Sequence, residues 1–232
     1  MKYVISDLHG CPVDIVRSLF KRAGFCGGDD CYVLGDVIDR GPDGIALLRI
    51  IMNDPRIKMI LGNHEKMMLE CGGLIEGGRW RGGMLTPSEE ERLLMWRLNG
   101  GEPTLKALEE CDEAEVKDIL EYLSAQPVYR ELTVGGRRFI LTHSGIGHFD
   151  SSREISDYPE DDLLWTRPSI SERYYNDRTV VFGHTPTVYY GEKYYGVPVF
   201  TDTWIDIDVG CAMGLTPALL RLDDMKVFTV NR

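Results

Sequence analysis

What this chain of 232 residues lacks narrows its class quickly. It has no apolar run near the ~20 residues that cross a bilayer as a helix, so no membrane role is expected. The opening MKYVISDLHG has only a brief apolar stretch before Asp7, unlike the longer core of a secretory signal. The reading is a cytoplasmic protein. Basic residues are outnumbered, 26 Lys and Arg against 37 Asp and Glu, for a formal net charge of −11. Nucleic acid is therefore not an expected partner, because phosphate backbones need neutralising cations. The six cysteines (Cys11, Cys26, Cys31, Cys71, Cys111 and Cys211) include no C-x-x-C pair, so neither a zinc ribbon nor a disulfide framework is read from them. Histidine numbers only five.

What is present is an alternation of strand and helix. Residues 2–6, 31–35 and 57–61 read as short apolar strands. Between them, Pro12 to Ala23 and Pro42 to Met52 carry helical periodicity. This βαβαβ pattern predicts a parallel sheet. Residues 72–83 are glycine-rich and read as a loop. Residues 87–125 are charged and helical in period, and 72–127 together read as a helical insertion or cap lining a cleft. Residues 128–142 predict a hairpin about Gly135-Gly136. Further strands are expected at 179–183, 197–201, 204–209, 217–222 and 226–230. The whole, 1–232, is taken as one domain.

The reactive residues collect just past the strands. Asp7 and His9 follow the first, and Asp36, Asp39 and Arg40 the second. Asn63, His64 and Glu65 follow the third, while His143 follows FILT and His184 follows VVFG. Taken singly, each has an ordinary reading as a helix cap, a surface ion pair or a turn residue. Four of the five histidines at strand ends are harder to explain that way, because sheets of this kind deliver ligand groups at their carboxyl edges. Imidazole, carboxylate and amide oxygen together suit Mn, Fe or Zn better than Ca or Mg. The candidates exceed what one ion needs, which points to a two-metal site. Arg40 offers a planar fork for phosphate oxygens.

DLHG, GDVIDRG, GNHE, THSG and FGHT occur here in the order and approximate spacing of the phosphoprotein phosphatases, a family of calcineurin-like metallophosphoesterases. The chain resembles the small bacterial and bacteriophage serine/threonine phosphatases along nearly its whole length. Asp208-Val209-Gly210 departs mildly from the Asp-Thr-Gly usual in the closing segment. The resemblance implies an α/β fold, a four-layer α/β/β/α sandwich of two mixed sheets with a helical insertion. It implies two divalent ions, Mn by preference with Fe or Zn as alternatives. Asp7 and His9 would hold the first ion, Asp36 would bridge, and Asn63, His143 and His184 would hold the second. It further implies His64 as general acid oriented by Asp39, and phosphate held by Arg40, Asn63 and a second arginine. Arg167 is preferred over Arg178 for that role. Glu65 is read as structural. A metal-bridging hydroxide would attack phosphorus directly, and Cys11 has no nucleophilic role.

The implied substrate is a phosphoprotein or phosphopeptide carrying phosphoserine or phosphothreonine, with phosphotyrosine as a further option. The neighbouring alternative is a symmetrical dinucleoside-tetraphosphate hydrolase. Those enzymes typically read ARG and GNHD where this chain has Asp39-Arg40-Gly41 and Glu65. An inactive scaffold should have lost ligands, and none is missing here.

Overall fold

The two-residue period of the strands determines the layering. The computed structural model describes residues 1–230; the last two positions of the expected domain, Asn231 and Arg232, lie outside the described residues. In chain order the first half contains β1 (Lys2–Ile5), α1 (Val13–Ala23), β2 (Asp30–Val33), α2 (Gly44–Asn53), β3 (Ile57–Met59) and α3 (Asn63–Glu70). It continues through α4 (Gly72–Glu76), α5 (Pro87–Leu98), α6 (Glu102–Leu108) and α7 (Glu113–Ser124). The second half contains β4 (Tyr129–Val134), β5 (Arg137–Thr142), α8 (Glu160–Leu164), β6 (Thr179–Phe182), β7 (Val199–Phe200), β8 (Trp204–Asp206), β9 (Leu219–Arg221) and β10 (Lys226–Phe228).

Two five-stranded sheets form, ordered β10-β9-β1-β2-β3 and β4-β5-β6-β8-β7. In the first, β1, β2 and β3 are parallel as the βαβαβ pattern predicts. That sheet is mixed, however, because β9 returns antiparallel to β1 and β10 antiparallel to β9. In the second, β5, β6 and β8 are parallel, with antiparallel β4 and β7 at the edges. The β4–β5 hairpin turns at Gly135 and Gly136, whose φ values of 56° and 80° suit a two-residue turn that matches strand twist.

Alternate side chains leave each sheet in opposite directions. Tyr3, Ile5, Cys31 and Val33 join the core under α1 and α2. Val4, Tyr32 and Leu34 instead meet Phe139, Leu141, Val181 and Ile205 between the sheets. On the far side, Ile140, Val180, Phe182 and Trp204 pack against Leu163 of α8 and against Ile155, Tyr174 and Tyr175. The result is the four-layer sandwich.

Residues 72–83 are not the loop their glycines suggest. They form α4 and a 3-10 turn at Arg79–Arg81. Leu74, Ile75 and Trp80 are buried there, which outweighs the ~1 kcal/mol that a helical glycine costs. Nor do α5 to α7 stand apart as a lid. α6 packs on α2, α5 and α7 on α3, and α7 also on α4. Trp96, Leu105, Leu108, Ile119 and Leu123 belong to the same buried cluster as Ile5 and Val33. Among the described residues, no helix is long and apolar enough to cross a membrane.

Because Ile119 sits in this continuous core, Ile119→Ala should destabilise the protein by about 2–5 kcal/mol. Urea unfolding would show a lower midpoint at unchanged slope; a loss below about 0.5 kcal/mol would make α7 peripheral.

Candidate metal centre

The strand ends are conformationally costly. Asp7, His9, Asp36, Asp39, Arg40 and His184 all have positive φ, from 42° to 69°. Elsewhere among the described non-glycine residues only His148 and Met225 do so. Each such residue costs about 1–3 kcal/mol and persists only where its surroundings over-determine it. Hydrogen bonds between the loops do that. His9 N donates to Asp36 O (2.9 Å), Gly10 N to Val37 O (2.8 Å) and Gly41 N to His9 O (3.0 Å). The loops after β1 and β2 pass so closely that a Cβ on Gly10 would lie 2.2 Å from the Gly41 carbonyl oxygen. The buried Glu65 carboxylate accepts from the amides of Asp36 (2.8 Å), Val37 (2.8 Å), Ile38 (3.3 Å) and Gly62 (3.1 Å), a structural role.

Asp36 occupies the middle of the cluster. Its Oδ2 lies 3.5 Å from His9 Nε2 and its Oδ1 3.4 Å from His143 Nε2. His143 Nδ1 meets the Leu34 carbonyl at 2.8 Å, and His9 Nδ1 meets that of Ile38 at 3.2 Å. Each ring therefore carries its proton on Nδ1 and turns the Nε2 lone pair inward. The lone pair of His143 faces Asn63 Oδ1 at 2.8 Å, and the same oxygen is 3.0 Å from His184 Nδ1. Acceptor faces acceptor there, an arrangement that a cation satisfies and a hydrogen bond does not. Two groups of side chains able to hold an ion result: His9, Asp36 and His64, and Asp36, His143 and His184. All are buried, and Asp36 is common to both.

The electrostatics agree. Burial pushes Asp7 well above the ordinary carboxylate range, helped by the charge of Asp208; it does the same to Asp36, helped by Asp7. Burial lowers His9 well below the usual imidazole range, His143 to about 3 and His184 to about 2. The imidazoles are thus neutral, as ligands must be. Divalent cations would supply the positive charge that these carboxylates lack, so the donor set fits the two ions that the resemblance implies.

The remaining candidates are placed less uniformly. The Asp7 carboxylate accepts from the His184 amide (3.0 and 3.1 Å) and the Ser6 hydroxyl, and lies outside both groups among the described residues. His64 lies inside the first group, 3.8 Å from Asp36 Oδ2 through Nε2, while its Nδ1 meets Asp39 Oδ2 at 2.6 Å. Arg40 reaches His9 Nε2 and His64 Nε2, each at 3.1 Å, so its guanidinium points into the centre. Arg167 is exposed at the rim, where its charge helps to lower His143 and His184. Its competitor Arg178 is bound in ion pairs to Asp177, Glu131 and Glu154, facing away from this role.

Three residues near the centre were not singled out from sequence for a role there. Asp208 is buried beside Asp7 and is pushed up to about 6 by burial. Trp96 and Thr104 both hydrogen-bond Asp39 from the α5–α6 segment. Nothing in the sequence links Thr104 to a residue 65 positions earlier; Asp208 was visible only as the first residue of Asp208-Val209-Gly210, where Val209 departs from the Asp-Thr-Gly pattern.

The calcineurin-like phosphoesterase family matches this chain over residues 3–209. A symmetrical bis(5'-nucleosyl)-tetraphosphatase of Nitrosomonas europaea is 26% identical over 271 residues, covering 98% of this chain and 97% of that protein. Against the enzyme of that name from Shewanella sp. strain W3-18-1, the match takes in less than half, 44%, of the relative's length. Serine/threonine-protein phosphatase 2 of Salmonella typhimurium is 24% identical over 168 residues, 71% of this chain and 67% of the relative. A crystal structure provisionally described as a diadenosine tetraphosphatase shares the fold, with a TM-score of 0.66 at 18% identity over 99% of this chain and 92% of that one.

The shared position of Asp36 leads to a specific expectation. Metal-stripped protein titrated with Mn should take up two ions per chain. Asp36→Asn should weaken both sites by about tenfold or more while the fold survives. Unchanged uptake of two ions by the variant, measured by calorimetry, would exclude a bridging carboxylate.

Proposed function

Because the chain belongs to the calcineurin-like phosphoesterase family, we propose that it is a two-metal phosphomonoesterase acting on phosphoserine and phosphothreonine in proteins. The observation that carries this reading is the 2.6 Å contact between His64 Nδ1 and the buried Asp39 carboxylate. A serine or threonine alkoxide is a poor leaving group and departs only with a proton. A histidine held by a carboxylate, with its second nitrogen facing the centre, is built to supply one. A nucleotide phosphate leaves far more readily and has less need of such a pair.

In this reading Asp7, His9 and Asp36 hold one ion, and Asp36, Asn63, His143 and His184 the other, with Mn the preferred metal. When bound, the ions draw in the phosphoryl oxygens, activate a water at neutral pH and offset the charge of the transition state. Arg40 from one side and Arg167 from the other clamp the phosphate, with Asn63 beside it. His64 gives its proton to the departing oxygen, and Asp39 keeps the imidazole in the required tautomer. The scattered cysteines fit a reducing compartment such as the cytoplasm.

A second reading, hydrolysis of a symmetrical dinucleoside tetraphosphate, has support of its own. The Nitrosomonas europaea relative of that name aligns along almost the entire chain. Cavities also flank the centre, one of about 600 Å³ bordered by Arg167, Pro168 and Tyr189, the other of about 500 Å³ bordered by Arg40, Pro42 and Pro103.

Phosphate release from a phosphothreonine peptide and cleavage of a dinucleoside tetraphosphate, run in parallel with and without Mn, separate the two. Mn-dependent release from the peptide alone is the expected result. Cleavage of the dinucleotide alone would move the chain to the second reading. In the same assay His64→Asn should keep both ions and lose about 10²–10⁴-fold in turnover; a variant that lost its metal instead would make His64 a ligand.

A further inference from the structure

We propose that Trp96 and Thr104, carried by α5 and α6, are positioning residues for proton transfer from His64. The inference rests on the reading of His64 as general acid. It assigns a role in the chemistry to a helical segment otherwise known here only by its packing.

The geometry centres on Asp39, which is fully buried. Its Oδ2 accepts from His64 Nδ1 at 2.6 Å and from Trp96 Nε1 at 2.8 Å. Its Oδ1 accepts from the Thr104 hydroxyl at 2.6 Å. That hydroxyl in turn accepts from the Asp39 amide at 2.9 Å, closing a ring between the side chain of Asp39 and its own backbone. Rotation of the carboxylate in either direction breaks one of these bonds, so the lone pair offered to His64 has one direction.

The same segment holds the backbone. Asp39 and Arg40 are consecutive residues in the left-handed region, with φ of 69° and 66°. Arg40 N donates to Gly100 O at 2.8 Å, from the turn between α5 and α6. That turn is itself tightly fitted: a Cβ on Gly101 would lie 2.8 Å from the Trp96 indole. Trp96, Gly100 and Thr104 thus hold the acid's orienting partner and the backbone of the phosphate-facing arginine at once. Trp96 and Thr104 do not reach the phosphate centre directly; they act through Asp39.

Misalignment of a general acid shows most where the leaving group is poor. The test therefore compares phenyl phosphate with 4-nitrophenyl phosphate, the better leaving group, on the Mn-loaded protein. Thr104→Val and Trp96→Phe remove the donor and keep the shape. Each should lower kcat on phenyl phosphate by about tenfold or more, against less than about threefold on 4-nitrophenyl phosphate, with KM little changed. Thr104→Ser, which restores the hydroxyl, should recover most of the loss. Ile119→Ala, destabilised on α7, which packs on α3 and α4, should show no dependence on leaving group. Equal losses on both substrates in the Thr104 and Trp96 variants, or the same selectivity in Ile119→Ala, would overturn the proposal. His64→Asn is run alongside. If it too loses equally on both substrates, the general-acid reading fails and the positioning role fails with it. If only His64→Asn is selective, the reading stands and the positioning role does not.

Discussion

A single buried carboxylate organises the centre without entering it. Glu65 receives amide hydrogens from Asp36, Val37 and Ile38 after β2 and from Gly62 before α3. Burial pushes its acidity down, and the three amides after β2 oppose that shift. Hydrogen bonds to a charged acceptor contribute about 1.5–3 kcal/mol each, comparable with the cost of one residue held in left-handed backbone. Two loops from different strands are thereby locked to one point, and Asp36 is left with only its side chain to direct. The central position of that side chain, between His9 and His143, follows from where Glu65 has pinned its main chain.

The rest of the centre obeys the same logic of outside support. Carbonyls of Leu34 and Ile38 set the tautomers of His143 and His9. The His184 amide orients Asp7, and Trp96 with Thr104 orients Asp39. A strongly acidic chain thus contains a pocket whose carboxylates are held in place but not neutralised, with Arg40 and Arg167 at its margins. Such a pocket is suited to drawing in cations.

Much of this was legible in the sequence because it is periodic or local. Tyr3-Val4-Ile5 and Cys31-Tyr32-Val33 announce strands buried on both faces, and the clustering of histidine after such runs announces the edge where they meet. Which residues cross-brace was not legible. Trp96 reads as one more core aromatic in a helix, and Thr104 as an ordinary polar residue in its first turn, until the fold brings both against Asp39. The stretch 72–83 misled for a related reason. Its glycines describe what the isolated backbone prefers, whereas Leu74, Ile75 and Trp80 respond to a core supplied by α3 and α7. The parallel sheet was seen and its antiparallel extension was not placed, because β9 reaches β1 across nearly the full length of the chain.

The bond from the His184 amide to the Asp7 carboxylate joins residues 177 positions apart. At about 5–20 residues per second of synthesis, Asp7 is added to the chain roughly 9–35 s before its partner exists. During that interval the nascent chain displays Asp7 without the amide that orients it, and Asn63 without His184 beside its amide oxygen. The centre is thus built in two stages: His9, Asp36 and His64 are all present early, whereas the second group waits for His143 and His184.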